Sequence, residues 1–475
     1  MTDILCIIPP YSYEKLKDVG PKCPNLGVAT IAAYLQQNGY SVKILDAFAL
    51  ELNMDQIKKE IISTAPKIVL SGGSTAVHPN SLKIFEAAKK INHNVETIYG
   101  GPHVTNQPET AIINNSVDFI VIGEGEITSL ELIDYIFGKK NLKKEEIKGI
   151  CYKNKEKIIF TEKRPLIKNL DILPIPAYHL LPMGVYEAYG WYDTGRKFTT
   201  MISSRGCPSR CSFCISSVNF NHWWRARSAE KVFEEIKLLY DKYGIRHIYF
   251  QDDDFCVDPK RVIRICDMIK ENNLDIVWEC LTRVNPLDEE LIKKMAECGC
   301  KSILFGAEVG YEEGFKKINK PVNLSMVLNA VKLAQKYKIM TKVTFILGFP
   351  WESEKEIKET IKFAKKLDAD LTFFNTLTPY PGTVIYNEIK ENNLFVEGHW
   401  SQYETHSYAP LIRTQHLTHK QISYWIGRAY LEMYLRPSFL IRRIKNLTNF
   451  KEFKRNFNSA RGLLELSFKK LLTGK

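Results

Sequence analysis

The 475-residue chain lacks any uninterrupted run of roughly 18 or more apolar residues, so no membrane-spanning helix is expected. Its first residues also lack the basic segment and apolar stretch of a secretory signal, and its 11 cysteines stand at irregular spacings that do not suggest a disulfide framework. A cytoplasmic, reducing location is therefore expected. Acidic residues are scarce in one region: from Leu411 to Lys475 there are 14 Lys and Arg, three Glu and no Asp, which supplies most of the net charge of +12.

The most informative residues are three closely spaced cysteines, Cys207, Cys211 and Cys214, in a C-x3-C-x2-C arrangement. Three thiolates on one tight loop can hold three irons of a 4Fe-4S cluster, which normally takes four thiolates. The missing ligand would leave one iron open to a substrate. The alternative is a zinc site, which prefers four ligands in spaced pairs, but the nearest candidates, Cys256 and His222, form no such pair.

The run from Arg205 to Cys214 resembles the signature of the radical S-adenosylmethionine (SAM) enzymes. In that family the open iron chelates the methionine moiety of SAM, and the reduced cluster cleaves SAM to a deoxyadenosyl radical. The resemblance implies a 4Fe-4S cluster and SAM as cofactors, with Cys207, Cys211 and Cys214 as the catalytic and metal-binding residues. It also implies an external electron donor of the flavodoxin or ferredoxin type.

The first 125 residues alternate between short apolar segments and amphipathic ones. Strands are predicted near residues 4–8, 42–46, 68–71, 95–99 and 118–122, with helices between most of them. This order predicts a doubly wound, Rossmann-like parallel sheet that binds ligands at the carboxyl ends of its strands. No G-x-G-x-x-G follows the first strand, so a nicotinamide site is not expected.

The runs 100–103 (Gly-Gly-Pro-His) and 123–126 (Gly-Glu-Gly-Glu) resemble the cobalamin-binding domain that precedes many radical SAM cores. The resemblance implies cobalamin as a third cofactor, although the Asp-x-His-x-x-Gly motif that supplies an axial histidine elsewhere is absent. The alternative is a domain that binds nothing. The residues expected to contact cobalamin are Ser71, Gly72, Thr75, Gly101, His103, Gly123 and Glu124.

From Lys197 onward, six further strand–helix repeats predict a partial (β/α)6 TIM-like barrel, whose active residues lie at the carboxyl ends of the strands. The acidic run 252–254 is expected to order the barrel mouth rather than to bind metal. The family resemblance implies that SAM is contacted by Phe213, Arg283, Glu308, Gly348 and Pro350. For Arg283 and Glu308 the alternative role is an ion pair with each other across the barrel mouth.

The predicted organisation is a cobalamin-binding domain at 1–140, a connector at 141–196, a radical SAM core at 197–410 and a basic helical C-terminal region at 411–475. Apolar residues recur at helical spacing in that last region, from Ile422 to Met433 and again near Leu464. Such basic amphipathic helices either make a peripheral membrane contact or pack on the barrel. No RNA-reading module is present, so nucleic acid is not an expected partner.

The chain resembles most closely the branch that contains the anaerobic magnesium-protoporphyrin IX monomethyl ester cyclase and the hopanoid methylases. We therefore expect a methyltransferase that methylates an unactivated carbon of a small-molecule or lipid-like substrate through a deoxyadenosyl radical and methylcobalamin. One alternative is a cyclase or oxidoreductase acting on a lipid or tetrapyrrole, and another is a cobalamin or redox sensor. A third, a methylthiotransferase of tRNA or ribosomal protein, would need a second cluster, for which only Cys6, Cys23 and Cys151 are available.

Overall fold

The computed structural model describes residues 2–11, 22–188, 194–285, 287–396, 400–403, 410–437, 439 and 441. It divides the chain into two compact units, Met1–Ala188 and Tyr189–Lys475. Both units are built from the alternating strands and helices that the apolar periodicity predicts.

The first unit is a single seven-stranded sheet with helices between most of its strands. The strands are β1 (Ile4–Ile8), β2 (Val42–Asp46), β3 (Ile68–Gly72), β4 (Glu96–Gly100), β5 (Phe119–Val121), β6 (Ile150–Asn154) and β7 (Lys157–Phe160). The helices are α1 (Leu26–Gln37), α2 (Met54–Thr64), α3 (His78–Ile91), α4 (Pro102–Asn106), α5 (Glu109–Ile112) and α6 (Gly125–Ile136).

The strand order in this sheet is β2-β1-β3-β4-β5-β6-β7, and the pairings among β1 to β5 are parallel. The order reverses between β1 and β3, which confirms the predicted doubly wound arrangement and identifies the usual place for a ligand in such sheets. Strand β1 is buried along its whole length, and Leu5 and Ile7 lie in a core with Phe85 and Tyr99.

The hairpin β6–β7 extends the sheet beyond its parallel part. Strand β6 pairs antiparallel with β5, and Ile150, Cys151 and Tyr152 are buried there. The hairpin thereby covers the β5 edge, which would otherwise expose unpaired backbone groups. Because the first unit continues to Ala188, most of the segment predicted as a connector at 141–196 packs within it.

The second unit contains a six-stranded parallel sheet and a small two-stranded antiparallel sheet, β9 with β10. The strands are β8 (Phe198–Met201), β9 (Ser204–Arg205), β10 (Arg225–Ala226), β11 (His247–Phe250), β12 (Val277–Thr282), β13 (Cys300–Glu308), β14 (Met340–Leu347) and β15 (Leu371–Thr376). The order β15-β14-β13-β12-β11-β8 confirms the partial barrel.

Nine helices are described in this unit. They are α7 (Ile215–Asn219), α8 (Ala229–Tyr243), α9 (Pro259–Glu271), α10 (Glu289–Glu297), α11 (Glu312–Lys317), α12 (Leu324–Lys336), α13 (Glu354–Leu367), α14 (Val384–Glu391) and α15 (His419–Tyr434). Their ends follow local chemistry: α8 begins where the Ser228 side chain accepts from the Lys231 N–H and ends at Gly244, which is left-handed with φ 67°.

Helix α15 packs on the edge strand β15. Its apolar residues Ile422, Trp425, Ile426, Ala429, Tyr430 and Met433 are buried. The Tyr430 hydroxyl bonds both the N–H and the C=O of Phe374, at 3.1 and 3.3 Å, and the Tyr434 hydroxyl does the same for Thr372, at 3.0 and 2.7 Å. Two tyrosines one helical turn apart thus satisfy the backbone N–H and C=O groups of two alternate residues of β15.

The packing of α15 decides between the two interpretations of the tail for this helix only, and for the rest of the tail both stay predictions. The apolar face of this helix is covered by the barrel, so it does not present a surface to a membrane. The second predicted amphipathic segment, near Leu464, and most of the basic charge lie outside the described residues. Within the described part of the chain, no helix combines the length and apolarity needed to cross a bilayer.

Candidate active site

The three cysteines lie on the loop between β9 and α7, and their side chains are partly exposed and not in disulfides. The loop begins at Gly206, whose φ is +84° and whose Cβ, if present, would lie 2.4 Å from the Trp223 carbonyl oxygen. Only glycine fits this position. The cysteine loop (residues 206–214) therefore has a fixed starting geometry.

Three consecutive aspartates after β11 hold the neighbouring backbone. The Asp252 carboxylate accepts from the Ser203 N–H at 2.7 Å and from the Ser203 hydroxyl at 2.6 Å. The Asp253 carboxylate accepts from the Gly206 N–H at 3.0 Å. These bonds agree with the expectation that the acidic run orders the barrel mouth.

Asp254 completes the run by orienting Arg283 at the end of β12. Its carboxylate accepts from the Thr282 hydroxyl at 2.8 Å and forms an ion pair with the Arg283 Nε. The guanidinium in turn donates from Nη1 to the Ser209 hydroxyl, on the cysteine loop, at 3.0 Å. A charge-assisted network therefore connects two strand ends to the loop.

Glu308, at the end of β13, faces a lysine that the motif analysis did not single out. The Lys320 Nζ donates to Glu308 Oε1 at 2.7 Å and to the Gly306 carbonyl at 2.8 Å, and both charged side chains are largely buried. Glu308 has a left-handed φ of 67° beside a register shift between β13 and β14. Such bulges redirect side chains at functional sites, and here the bulge aims the carboxylate at Lys320.

Arg283 and Glu308 thus belong to two separate ion pairs, with Asp254 and Lys320 respectively. The alternative of a direct pair between them is wrong. Burial acts to lower the pKa of Lys320, but Glu308 and Cys211 outweigh it and raise the pKa, so Lys320 is a cation.

Burial holds the three thiols in their neutral form, and coordination to a metal is what deprotonates such a thiol. Burial raises the pKa of Cys207, of Cys211 to about 11 and of Cys214 to about 12. Lys320 and Arg283 counteract this rise at Cys211. The buried Ser212 hydroxyl, between two of the cysteines, has no hydrogen-bond partner among the described residues, and a cluster sulfide could accept from it. The donor set therefore fits a 4Fe-4S cluster with one open iron.

No three His, Cys, Asp or Glu side chains in the described ranges are arranged around a common point that could hold a single metal ion. A 4Fe-4S cluster makes a different demand, because each thiolate binds a different iron.

The predicted SAM-contacting aromatic, Phe213, packs edge-on against Phe349, with ring centroids 5.9 Å apart. Gly348 has φ +96°, and a Cβ there would lie 3.2 Å from Ile422 of α15. The Pro350 carbonyl accepts from the Gln415 N–H at 2.8 Å. Gly348 is thus required by its backbone conformation, Pro350 contributes a backbone carbonyl to the packing of this unit, and the contact of both residues with SAM stays a prediction.

The loop after β14 is held by a buried carboxylate that sequence analysis missed. Glu352 Oε2 accepts from the N–H groups of Gly348 at 2.7 Å and Phe349 at 3.0 Å, and Oε1 accepts from the Tyr311 hydroxyl at 3.1 Å. Burial raises the pKa of Glu352 to about 7 despite these bonds. The signal in the sequence that could have identified this carboxylate was a glutamate just after the Gly-Phe-Pro turn.

In the first unit, the carboxyl edge of the sheet combines closely packed and open positions. A Cβ on Gly72 would lie 1.9 Å from the Gly100 oxygen, and one on Gly101 would lie 2.8 Å from the Gly73 nitrogen. By contrast, a Cβ on Gly100 or on Gly123 would meet nothing within 4 Å. Gly100 and Gly123 are thus uncrowded at the edge where ligands bind in such sheets.

Several residues expected to touch cobalamin also have bonds within the unit. The Ser71 hydroxyl donates to the Ile7 carbonyl at 2.8 Å, and Glu124 Oε2 accepts from the Ile167 N–H at 2.7 Å. Thr75 is buried in a short 3₁₀ turn after β3. Their roles in cobalamin binding, like those of Gly72, Gly101 and Gly123, stay predictions.

His103 lies inside the unit rather than at its surface. Its Nε2 is 3.0 Å from the Thr110 hydroxyl oxygen, and its ring lies 4.1 Å, centroid to centroid, from that of His78. Burial, with His78 nearby, lowers the pKa of His103 to about 3, so the ring is neutral. The contacts favour a structural role, and its contact with cobalamin stays a prediction.

Two family models match the chain. The radical SAM superfamily matches residues 201–364, which contain the cysteine loop and the barrel strands, and the B12 binding domain matches residues 16–133. The matched ranges agree with the two units and with the sites described above.

Two relatives extend these matches over most of the chain. An uncharacterized methyltransferase of Pyrococcus horikoshii is 39% identical over 442 residues, covering 93% of this chain and 94% of the relative. The anaerobic magnesium-protoporphyrin IX monomethyl ester cyclase of Rubrivivax gelatinosus is 28% identical over 381 residues, covering 78% of this chain and 67% of the relative.

Among solved structures, the cobalamin-dependent SAM radical enzyme OxsB, with aqua-cobalamin bound, matches with a TM-score of 0.76. The match covers 99% of this chain and 72% of OxsB at 17% identity, which shows the shared fold. Enzymes of the radical SAM superfamily draw electrons from an external donor and act on small-molecule substrates. The chain belongs to the cobalamin-dependent radical SAM methyltransferase family, whose cofactors are a 4Fe-4S cluster, SAM and cobalamin.

Proposed function

We propose that this enzyme methylates an unactivated carbon of a small-molecule or lipid-like substrate. The observation that carries the proposal is the convergence of Cys207, Cys211 and Cys214 with the cations Arg283 and Lys320 around one loop at the barrel mouth. Similarity to a methyltransferase over nearly the whole chain supports the type of reaction.

In this proposal the three thiolates are the protein ligands of the cluster. When bound, the cofactors supply a deoxyadenosyl radical that removes a hydrogen atom from the substrate and a methyl group that replaces it. The chain's own contribution is to hold the cysteine loop in place through the hydrogen bonds of Asp252, Asp253 and Asp254.

The charged residues at the mouth match the groups of SAM. Lys320 and Arg283 are cations that can bind the methionine carboxylate, and Glu308 can accept from an ammonium or a ribose hydroxyl. Each of the three is already oriented by a partner, so little side-chain ordering remains to be paid on binding. Phe213 and Phe349 offer an aromatic surface for the adenine.

The test is to incubate the reconstituted protein with SAM labelled in its methyl group, a reductant and candidate acceptors. The expected result is deoxyadenosine together with a product that carries the label. Deoxyadenosine without label in any product would refute methylation and leave a radical enzyme.

A cyclase acting on a tetrapyrrole is the second candidate, favoured by the 28% identity to the magnesium-protoporphyrin ester cyclase. It predicts conversion of a porphyrin ester without transfer of the label. Presenting such a porphyrin as one of the candidate acceptors distinguishes the two reactions in a single experiment.

The arrangement of the N-terminal cysteines disfavours a methylthiotransferase. Cys6 lies in β1 and Cys151 in β6, both fully buried in the first sheet, and burial raises the pKa of each to about 12. Neither is on a loop that could hold a second cluster. Iron near eight per chain, rather than about four, would overturn this conclusion.

A further inference from the structure

We propose that Asn375, at the inner wall of the barrel, selects a substrate that is uncharged, largely hydrocarbon and equipped with a hydrogen-bond donor such as a hydroxyl. The assignment rests on the proposed function and names a substrate class for it. The hydrocarbon body would lie against five side chains on the inner faces of five neighbouring strands. We call them the inner layer: Tyr249, Leu281, Leu304, Thr344 and Phe373.

A charged group that crosses the barrel shows which strand positions point inward. Lys342 of β14 forms an ion pair with Glu279 of β12, and His247 Nε2 lies 3.1 Å from the other Glu279 carboxylate oxygen. Strand β13 separates β12 from β14, so these side chains meet inside the barrel. Because side chains alternate along a strand, the inner-layer residue two positions further on in β11, β12 and β14 also points inward.

The inner layer is more exposed than the opposite face of the same strands. Leu304 is in register with Leu281. Phe373 is in register with Thr344, so both complete the layer. All five inner-layer side chains are half-buried, whereas Phe374, on the face covered by helices, is fully buried. Side chains normally fill the inside of a closed barrel, so the half-buried layer borders open space in this partial one.

This open space leads to the charged residues at the barrel mouth. Arg283 follows Leu281 by two residues, which corresponds to about 7 Å along a strand. Its guanidinium donates to the Ser209 hydroxyl of the cysteine loop at 3.0 Å. A molecule held against the inner layer is therefore next to the place where the radical forms in the proposed function.

The chemistry of the inner layer selects an apolar, uncharged ligand. Four of its five side chains are hydrocarbon or aromatic, and the polar member, Thr344, donates its hydroxyl to the Phe305 carbonyl at 3.5 Å. The charges next to the layer are already matched, because Glu279 contacts both Lys342 and His247. A charged ligand would lose its hydration beside groups that already have partners, and that loss is costly.

Asn375 supplies a hydrogen-bond acceptor two residues beyond the inner layer. The Phe374 ring lies 5.6 Å from that of Tyr430 on α15, so the next residue along β15 points into the barrel. Asn375 is 6% exposed, and its Oδ1 is buried without a hydrogen-bond partner among the described residues. Such an atom has lost its water without compensation. A ligand hydroxyl that donates to Oδ1 restores the bond, since the carboxamide turns readily about χ2.

The direct test measures the binding of two probes to the cluster- and cobalamin-loaded protein by titration calorimetry. The probes are 1-octanol and its methyl ether, which share a hydrocarbon chain and differ in the hydroxyl donor. The alcohol should bind about threefold to tenfold more tightly than the ether, because this is the net value of one hydrogen bond. In Asn375→Leu the two probes should bind equally.

The controls separate the hydrogen bond from the hydrocarbon contact and from stability. Asn329→Leu, at an exposed position of α12, is the matched control and should keep the preference for the alcohol. Leu304→Phe, which fills part of the open space, should weaken both probes and leave the ratio of their affinities unchanged. Because this ratio does not depend on the fraction of folded protein, lost stability cannot imitate the result.

Three results would overturn the proposal: no saturable binding of 1-octanol, an unchanged preference in Asn375→Leu, or an equal loss of preference in Asn329→Leu. Failure of the proposed function gives a different pattern. If the preference depends on Asn375 but no acceptor receives labelled methyl, methylation is refuted and the inner site stands. If an acceptor is labelled but Asn375→Leu keeps the preference, the inner site is refuted and methylation stands.

Discussion

At the scale of single residues, the site depends on buried charges that are stable only because each has a partner. Lys320 and Glu308 form such a pair beside the cysteine loop, and Arg283 and Asp254 form another. A buried charge that loses its partner keeps its full desolvation cost. Substitutions that break either ion pair should therefore impair ligand binding at the site more than substitutions of exposed charges.

We predict that Lys320→Met weakens SAM binding by about tenfold or more, because a hydrogen bond to a charged group contributes about 1.5–3 kcal/mol. The substitution also leaves Glu308 buried without its cation. Equilibrium binding of SAM to the cluster-loaded protein provides the measurement. Lys316→Met, which removes an exposed charge from the adjacent helix, is the control and should bind SAM as the unchanged protein does. An unchanged SAM affinity in Lys320→Met would show that Lys320 does not contribute to SAM binding.

The buried carboxyl of Glu352 predicts a pH dependence of stability. Burial raises its pKa in the folded protein to about 7 from the ordinary value of 4.5, so the folded state holds this proton more tightly than the unfolded state. The resulting stabilisation is present at acid pH, falls as the pH rises from 4.5 to about 7, and changes little above that.

We therefore predict that raising the pH from about 5 to about 8 lowers the free energy of unfolding of Glu352→Gln less than that of the unchanged protein. The difference should be about 2 kcal/mol. Urea unfolding at both pH values provides the measurement. The amide can keep accepting from the Gly348 and Phe349 N–H groups, so the comparison isolates the titration. An identical pH dependence in the two proteins would show that folding does not raise the pKa of this carboxyl.

At the scale of secondary structure, the open edge of the barrel is closed by side chains rather than by another strand. The hydroxyls of Tyr430 and Tyr434 satisfy the backbone of Phe374 and Thr372 in β15. An exposed strand edge is an aggregation hazard, so α15 protects the barrel.

Tyr430→Phe and Tyr434→Phe should each destabilise the second unit by about 1–3 kcal/mol, because the backbone groups of β15 lose their partners. The loss should be larger for Tyr430, whose hydroxyl is buried. The free energy of unfolding in urea measures both. Tyr424→Phe, at a 38% exposed position of the same helix, should change it by less than about 0.5 kcal/mol, and equal effects at all three sites would contradict this account of the edge.

The elements themselves were predictable from the sequence, because strands such as Ile4–Ile8 and helices such as Ala229–Tyr243 carry clear apolar periodicity. The pairing of the hairpin β6–β7 with β5 was not predictable, because periodicity does not specify which edge a strand joins. For α15, the two possibilities were likewise separable only by seeing what covers Trp425.

At the scale of the whole molecule, motif resemblance identified the two domains and their cofactors, and the family matches confirm both. The contacts that hold the site together were less predictable from the sequence. Lys320 and Glu352 carry no motif of their own, and their roles depend on loops that approach the barrel mouth only after folding. The predicted cobalamin residues illustrate the same limit, since Ser71 and Glu124 have bonds within the unit that spacing alone could not indicate.

The central claim is that one chain binds both an open-iron cluster and cobalamin. The most direct test is anaerobic purification with hydroxocobalamin, followed by iron and cobalt counts on the protein and on the variant with Cys207, Cys211 and Cys214 all changed to Ala. The account predicts about four irons and one cobalt per chain, with iron lost and cobalt retained in the variant. Iron without cobalt, or iron retained in the variant, would contradict it.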